Sequence, residues 1–363
     1  MMIKRTQVGL IFGGNSSEYE VSIMSGHNIY NAIDKNKFDV HPIWITNDGY
    51  LASEEDSFKV LEDPKYTVEN PHKVANISNL VELSNLPEID IFLPTIHGNL
   101  GEDGCLQGLF RILDKPFVGD DVLAAAVTMD KEFTKILAQR VGVPVANWIS
   151  IKRFEYDDKN NEKRDYAKVS KKLGGDLFVK PSNQGSSVGV HHVTNEKEYR
   201  KALADAFRYD DKILVEETIQ GTEVETAVLG NEQPTVSGVG QIINAEGTFY
   251  SYENKYGENS TSILQIPAKL PKEITEKARN IARKVYQVTE CSGLARVDST
   301  FRKRDQKVIF TEINSLPGFT NISMYPKLFE EVGIPYSELI TRLLENGIER
   351  YKHKKTLLHK YGK

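Results

Sequence analysis

Four side chains in the last third of the chain form its clearest chemical pattern. Arg296 and Asp298 are two residues apart, as are Glu312 and Asn314, and on a strand that spacing puts both members of a pair on one face. If the polar stretch 303–306 is the turn between two antiparallel strands, Asp298 falls opposite Glu312. Facing carboxylates repel unless a cation lies between them. Asp, Glu and Asn offer hard oxygen donors, a set that suits Mg²⁺ when phosphate oxygens complete the shell. A solvated strand face would show the same letters, so the hairpin needs support from its surroundings. Directly after it, Leu316-Pro317-Gly318-Phe319 forms a tight turn. There Gly318 permits close backbone approach, and its N–H can aim at a developing oxyanion.

Three further stretches could hold anions or an amino acid. Lys180-Pro181-Ser182-Asn183-Gln184-Gly185-Ser186-Ser187-Val188-Gly189 lies between two apolar runs, and small residues there let backbone N–H groups cradle phosphate. It lacks the Gly-Lys-Ser/Thr of a Walker loop. Gly13-Gly14-Asn15-Ser16-Ser17-Glu18 closes the first apolar run. A glutamate at such a turn can pair with the ammonium of a bound amino acid, and no Gly-x-Gly-x-x-Gly pattern favours a dinucleotide instead. His97-Gly98-Asn99-Leu100-Gly101-Glu102-Asp103-Gly104 follows another buried run, and Lys131 stands at the start of a helical stretch. Alone, a lysine is ordinarily a surface charge and a strand-end histidine a satisfied structural residue.

In this order the motifs resemble the ATP-grasp superfamily and, within it, the D-alanine–D-alanine ligases, over residues 8 to about 344. The resemblance implies ATP-dependent joining of two D-alanine molecules through an acyl phosphate, for peptidoglycan precursor synthesis. It makes Asp298, Glu312 and Asn314 ligands of Mg²⁺ or Mn²⁺, two ions in the family's manner. Lys131 and Lys180 become the ATP-phosphate lysines, with Ser187 in the phosphate loop. Glu216, Glu217 and Ile219 fall in the adenine segment, Glu223 at the ribose, and Phe249 among the nucleotide contacts. Lys255 and Tyr256 fall in a mobile lid, residues 251–265, from which Lys255 would help offset the ATP phosphate charge. Arg296 and the Gly318 N–H would stabilise the oxyanion, while Glu18, Ser186 and Tyr256 form one hydrogen-bonded set. His97 would lie near the first substrate's carboxylate, and Ser323 with the Met324 backbone would hold the second's. Ile313, Ser315, Leu316 and the pair Asn183-Gln184 depart from the pattern of some relatives without touching the ligands. Two competitors remain: a D-alanine–D-lactate enzyme, in whose relatives the position of Tyr256 is often phenylalanine, and a nucleotide-binding module without catalysis.

Positioning such a set requires an α/β chain. Short apolar runs at residues 8–12, 40–45 and 89–93 alternate with helical stretches at 21–33 and 105–113, the pattern of a doubly wound domain. We expect that domain over residues 1–121, then a two-part ATP-grasp fold: a central subdomain over 122–216 with the phosphate loop, and a C-terminal one over 217–363 with metal site and lid. Helical stretches are expected at 122–139, 196–208, 272–287 and 337–351. Strands are expected at 177–180, 213–216, 223–229, 294–301 and 307–314. Residues 47–86 read as a polar, Pro-containing region and 153–172 as a solvated helix or connection.

The chain has 363 residues, 27% of them charged, with a net charge of −5, which gives no basic field for nucleic acid or an anionic membrane. No apolar run approaches the ~20 residues of a membrane span. The two cysteines, Cys105 and Cys291, read as buried thiols rather than a disulfide framework. A cytoplasmic enzyme is expected and, by the family's habit, a homodimer, with D-alanine and ATP as its small-molecule partners.

Overall fold

The structure, a computed structural model, describes residues 4–65, 71–76, 89–243 and 263–358. Three sheets organise it. The first contains β1 (Thr6–Gly13), β2 (Phe38–Ile45), β3 (Tyr50–Ala52), β4 (Lys73–Asn76) and β5 (Ile91–Pro94), in the order β4-β3-β2-β1-β5. Strand β1 runs parallel to β2 and β5, and its apolar run is buried on both faces, as parallel strands covered by helices require. Within the polar region expected at 47–86, the described residues supply β3, β4 and the helix Glu54–Glu62. Ser53 caps that helix by accepting from the Asp56 N–H at 3.2 Å, and Val60 and Leu61 are buried beneath it.

The second sheet contains β6 (Trp148–Lys152), β7 (Leu177–Pro181), β8 (His191–Val193) and β9 (Lys212–Glu217), all antiparallel, in the order β6-β9-β7-β8. Helices Tyr166–Leu173 and Glu196–Ala206 cover one face through Val169, Leu173, Tyr199 and Leu203. The stretch 153–172, expected as a solvated helix or connection, thus includes a helix that buries Val169 and Leu173.

The third sheet contains β10 (Thr222–Gly230), β11 (Thr235–Ile243), β12 (Ile263–Gln265), β13 (Gly293–Arg302) and β14 (Lys307–Asn314), in the order β12-β11-β10-β13-β14. Helix Lys272–Val288 packs on one face through Ala278, Ala282 and Val285. Helices Met324–Glu331 and Tyr336–Lys355 cover the other. Their Tyr325, Leu328 and Leu343 share a single apolar cluster with Val8, Leu10 and Phe12 of β1. The C-terminal helices thus pack the third sheet against the first. Cys291 is buried, but Cys105 is exposed, because it opens helix Cys105–Ile112 on its solvent side.

Candidate active site

The turn at 303–306 and the register place Asp298 opposite Glu312 and Arg296 opposite Asn314, as the two-residue spacing predicts. One irregularity in the ladder follows Asp298, where Thr311 is the extra residue of β14. On the other side of β13, Glu225 of β10 lies opposite Asp298, so a third carboxylate joins the set. Arg296 binds both oxygens of Asp298, at 2.8 and 2.7 Å, and its Nε lies 2.9 Å from Glu225 Oε2. The Asn314 amide donates to Asp298 Oδ2 at 3.0 Å. Among the described residues no ready-made cage of three acidic, histidine or cysteine side chains exists. The donor chemistry nevertheless fits a hard divalent ion: two facing carboxylates, and an amide whose oxygen half a turn of the side chain would present.

Across a cleft of about 210 Å³ lies the second sheet's contribution. Lys180 at the end of β7 reaches Glu216 Oε2 at 2.8 Å, while Lys135 reaches Glu216 Oε1 at 3.1 Å. All three side chains are at most 10% exposed. Burial alone would raise the Glu216 carboxyl, but the two ammoniums outweigh it and hold its pKa below the usual range. Burial pushes the Lys135 ammonium down despite Glu216. Glu216 therefore stands as counter-ion to two lysines. Sequence reasoning passed over Lys135; its one signal was the four-residue step from Lys131, which puts both on one helix face.

Lys131 opens helix Lys131–Arg140, capped by Asp130, whose Oδ1 accepts from the Glu132 and Phe133 N–H groups. The same oxygen accepts from Ser182 at 3.0 Å, and the Lys131 Nζ donates to the Gln184 carbonyl at 2.6 Å. These bonds tie the helix start to the phosphate loop. In that loop Ser186 and Ser187 have φ of +50° and +60°, a strained geometry that persists when surroundings over-determine it. Lys131 also lies 3.7 Å from Glu312. Glu217 accepts from the Asn147 backbone and side chain at 2.9 Å, and Ile219 and Glu223 line the same cleft.

The first domain reaches the loop through Glu18, which accepts a short hydrogen bond from Ser186. A Cβ on Gly185 would lie 3.1 Å from the Glu18 carboxylate, a tight contact that would push that side chain back by a few tenths of an ångström. His97 is buried, with Nδ1 at 3.0 Å from the Leu316 carbonyl and Nε2 at 3.1 Å from Ser25 Oγ. A carbonyl only accepts, so Nδ1 carries the proton. Burial pushes the imidazole pKa down, against the pull of Glu18. Both ring nitrogens are thus engaged by protein. Ser323 precedes helix Met324–Glu331 and accepts from the Thr320 N–H at 3.0 Å. A Cβ on Gly318 would lie 2.9 Å from Ser323 Oγ. The Met324 side chain is buried against Gly240, leaving its backbone at the helix start, where N–H groups suit an anion. Phe249, Lys255 and Tyr256 lie outside the described residues.

Comparison with known proteins places these features in a family. Residues 7–120 match the model of the D-ala D-ala ligase N-terminus and residues 137–345 that of the C-terminus. A D-alanine–D-alanine ligase of Lactobacillus acidophilus is 76% identical over 99% of this chain and 100% of its own length. Among solved structures, the VanG D-Ala:D-Ser ligase of Enterococcus faecalis superposes with a TM-score of 0.80 at 32% identity, over 95% of this chain and 100% of that one. A D-alanine–D-alanine ligase of Bacillus anthracis complexed with ATP gives 0.74 at 28% identity, over 96% and 99%.

Proposed function

The chain belongs to the D-alanine–D-alanine ligase family, and from that premise we propose how its residues divide the work. The activity is ATP-dependent formation of D-alanyl-D-alanine for peptidoglycan synthesis, in an ATP-grasp fold. The γ-phosphoryl group passes from ATP to the carboxylate of the first D-alanine, leaving ADP; the amine of the second attacks the acyl carbon, loses a proton, and inorganic phosphate leaves. Little covalent chemistry falls to the protein, so positioning and charge neutralisation dominate.

Lys131 and Lys180 offset phosphate charge from the wall opposite β13, and Ser187 presents the loop to the phosphates. Glu216 holds Lys180 in place, while Glu217, Ile219 and Glu223 shape the nucleoside end, with Phe249 beside them. Asp298, Glu312 and Asn314 would hold Mg²⁺ or Mn²⁺, two ions in our reading, which supply further positive charge against the phosphates. Arg296 and the Gly318 N–H face the oxyanion of the tetrahedral intermediate, where one donor is worth about 3–4 kcal/mol. Glu18, through Ser186, joins the first domain to the phosphate loop, with Tyr256 and Lys255 assigned to the lid that excludes water from the acyl phosphate. His97 orients the turn that carries Gly318, and Ser323 with the Met324 N–H receives the second carboxylate.

We assign the first domain to residues 1–121 and the two ATP-grasp subdomains to 122–216 and 217–363. No described helix is long and apolar enough to cross a membrane. We place the enzyme in the cytoplasm, as a homodimer in the family's manner. One observation carries the division of labour: lysines on one wall of the cleft confront the carboxylates of β13 and β14 on the other. Its test is ADP and dipeptide formation from ATP and D-alanine with and without EDTA. Chelation should stop both, and added Mg²⁺ or Mn²⁺ should restore both. Turnover that survives chelation would remove the metal assignment.

A further inference from the structure

The turn Leu316-Pro317-Gly318-Phe319 is gripped on both sides by polar side chains from the first domain. The Leu316 N–H donates to Glu102 Oε1 at 3.2 Å, and the Leu316 carbonyl accepts from His97 Nδ1 at 3.0 Å. The Phe319 N–H donates to Ser25 Oγ at 3.1 Å, and the Phe319 carbonyl accepts from Asn28 Nδ2 at 3.2 Å. Tyr336 reinforces that carbonyl at 2.7 Å. Pro317 has no N–H to give. Of the turn's remaining donors, the Gly318 N–H alone makes no hydrogen bond with any described residue.

The directions of these bonds are forced. The Leu316 carbonyl can only accept, so His97 donates from Nδ1 and accepts at Nε2. Ser25 must then give its hydroxyl proton to His97, which leaves an oxygen lone pair for the Phe319 N–H. A closed circuit runs from the turn through Ser25 and His97 and back to the turn. Ser25, Asn28 and His97 are all buried, and in such surroundings a hydrogen-bond network holds geometry tightly and an unmade bond is costly. Both Ser25 and Asn28 lie on helix Tyr19–Ala32, seven and ten residues beyond Glu18 at its N-terminus.

We propose that Ser25 and Asn28 are positioning residues: through the backbone of Leu316 and Phe319 they aim the Gly318 N–H at the oxyanion formed between the two substrates. The proposal rests on the ligase reading above. It makes helix Tyr19–Ala32 part of the machinery that sets the rate, although neither side chain touches a reacting atom. Glu102 belongs to the same grip. Its second oxygen accepts from the Gly98 N–H at 2.6 Å, which couples the motif around His97 to the turn as well.

The test uses Ser25→Ala and Asn28→Asp, two near-isosteric changes that delete one hydroxyl and one donor. Dipeptide formation and KM for ATP are measured for each, with thermal unfolding as the check on folding. Ser25→Ala breaks the circuit, so its kcat should fall about 10- to 100-fold, the scale of a small misplacement of a catalytic group. Asn28→Asp leaves Tyr336 on the Phe319 carbonyl and should lose about 5-fold, the scale of one hydrogen bond. In both, KM for ATP should stay within about twofold, because uniform binding is untouched. If both variants keep kcat within twofold of wild type, or lose ATP affinity at unchanged kcat, the proposal falls. Wild-type activity separates the two levels: without dipeptide the ligase reading falls too, whereas normal turnover with indifferent variants removes this inference alone.

Discussion

Arg296 grips Asp298 in a two-bond fork, Nε to Oδ1 at 2.8 Å and Nη2 to Oδ2 at 2.7 Å. The side chain assigned to the oxyanion thus rests on a side chain assigned to the metal, with Glu225 2.9 Å away on the same guanidinium. On these assignments, metal loading and release of Arg296 toward the substrate would be coupled. Arg296→Ala should lower kcat by about 10²- to 10³-fold while the Mg²⁺ concentration for half-maximal rate stays the same or falls. Arg296→Lys should not restore the rate, because an ammonium cannot reproduce the fork. A variant whose only defect is a raised KM for ATP would move Arg296 to a binding role.

Glu312 tests the metal site without disturbing that fork, since it lies across the hairpin from Asp298. Glu312→Gln keeps the shape and removes the charge. We expect most ligation to be lost with the fold intact by circular dichroism. Near-wild-type turnover at ordinary Mg²⁺ would contradict the assignment.

The buried triad of Lys135, Glu216 and Lys180 gives a stability prediction. Glu216→Gln leaves two ammoniums without their carboxylate, and breaking a buried pair in this way costs about 3–5 kcal/mol. Lys135→Met leaves the Glu216–Lys180 pair at 2.8 Å intact, so it should cost clearly less. Urea unfolding of the two variants decides. Equal losses, or a larger loss for Lys135→Met, would show that the two lysines do not share one counter-ion.

Asp120 predicts a pH effect. Its Oδ1 accepts from the Ser292 N–H at 2.6 Å, while its other oxygen is buried with no hydrogen-bond partner among the described residues. Burial pushes its pKa up to about 7, against the Ser292 N–H, Cys291 and Arg350. The folded state therefore keeps a proton that the unfolded chain releases near its ordinary pKa of about 4. By linkage this residue makes the protein lose stability as pH rises from about 4 to 7, with no further loss above. Asp120→Asn should remove that contribution and stabilise the protein at pH 8 more than at pH 5. An identical pH dependence in both proteins would place the proton elsewhere.

The sequence made the hairpin legible because its information is local. A two-residue spacing and a four-residue turn determine which side chains of β13 and β14 face each other. Glu225 was invisible for the opposite reason: it meets Asp298 only through pairing of β10 with β13, and register between distant strands leaves no mark in either. Lys135 reads as a surface charge until Glu216 arrives from another strand to bury it. Strands of three or four residues, such as β3 and β4, are too short for periodicity to register. His97 was found by its motif, yet its partners Ser25 and Leu316 lie 72 and 219 residues away, so its engagement could not be read in advance.

The most direct measurement supplies the enzyme with ATP, Mg²⁺ and D-alanine, then offers D-alanine, D-serine, D-lactate or L-alanine as the second substrate, and quantifies product and ADP together. D-alanyl-D-alanine should be the dominant product, with one ADP for each dipeptide and little product from the other three. A preference for D-serine or D-lactate, or ADP release indifferent to D-alanine, would contradict it.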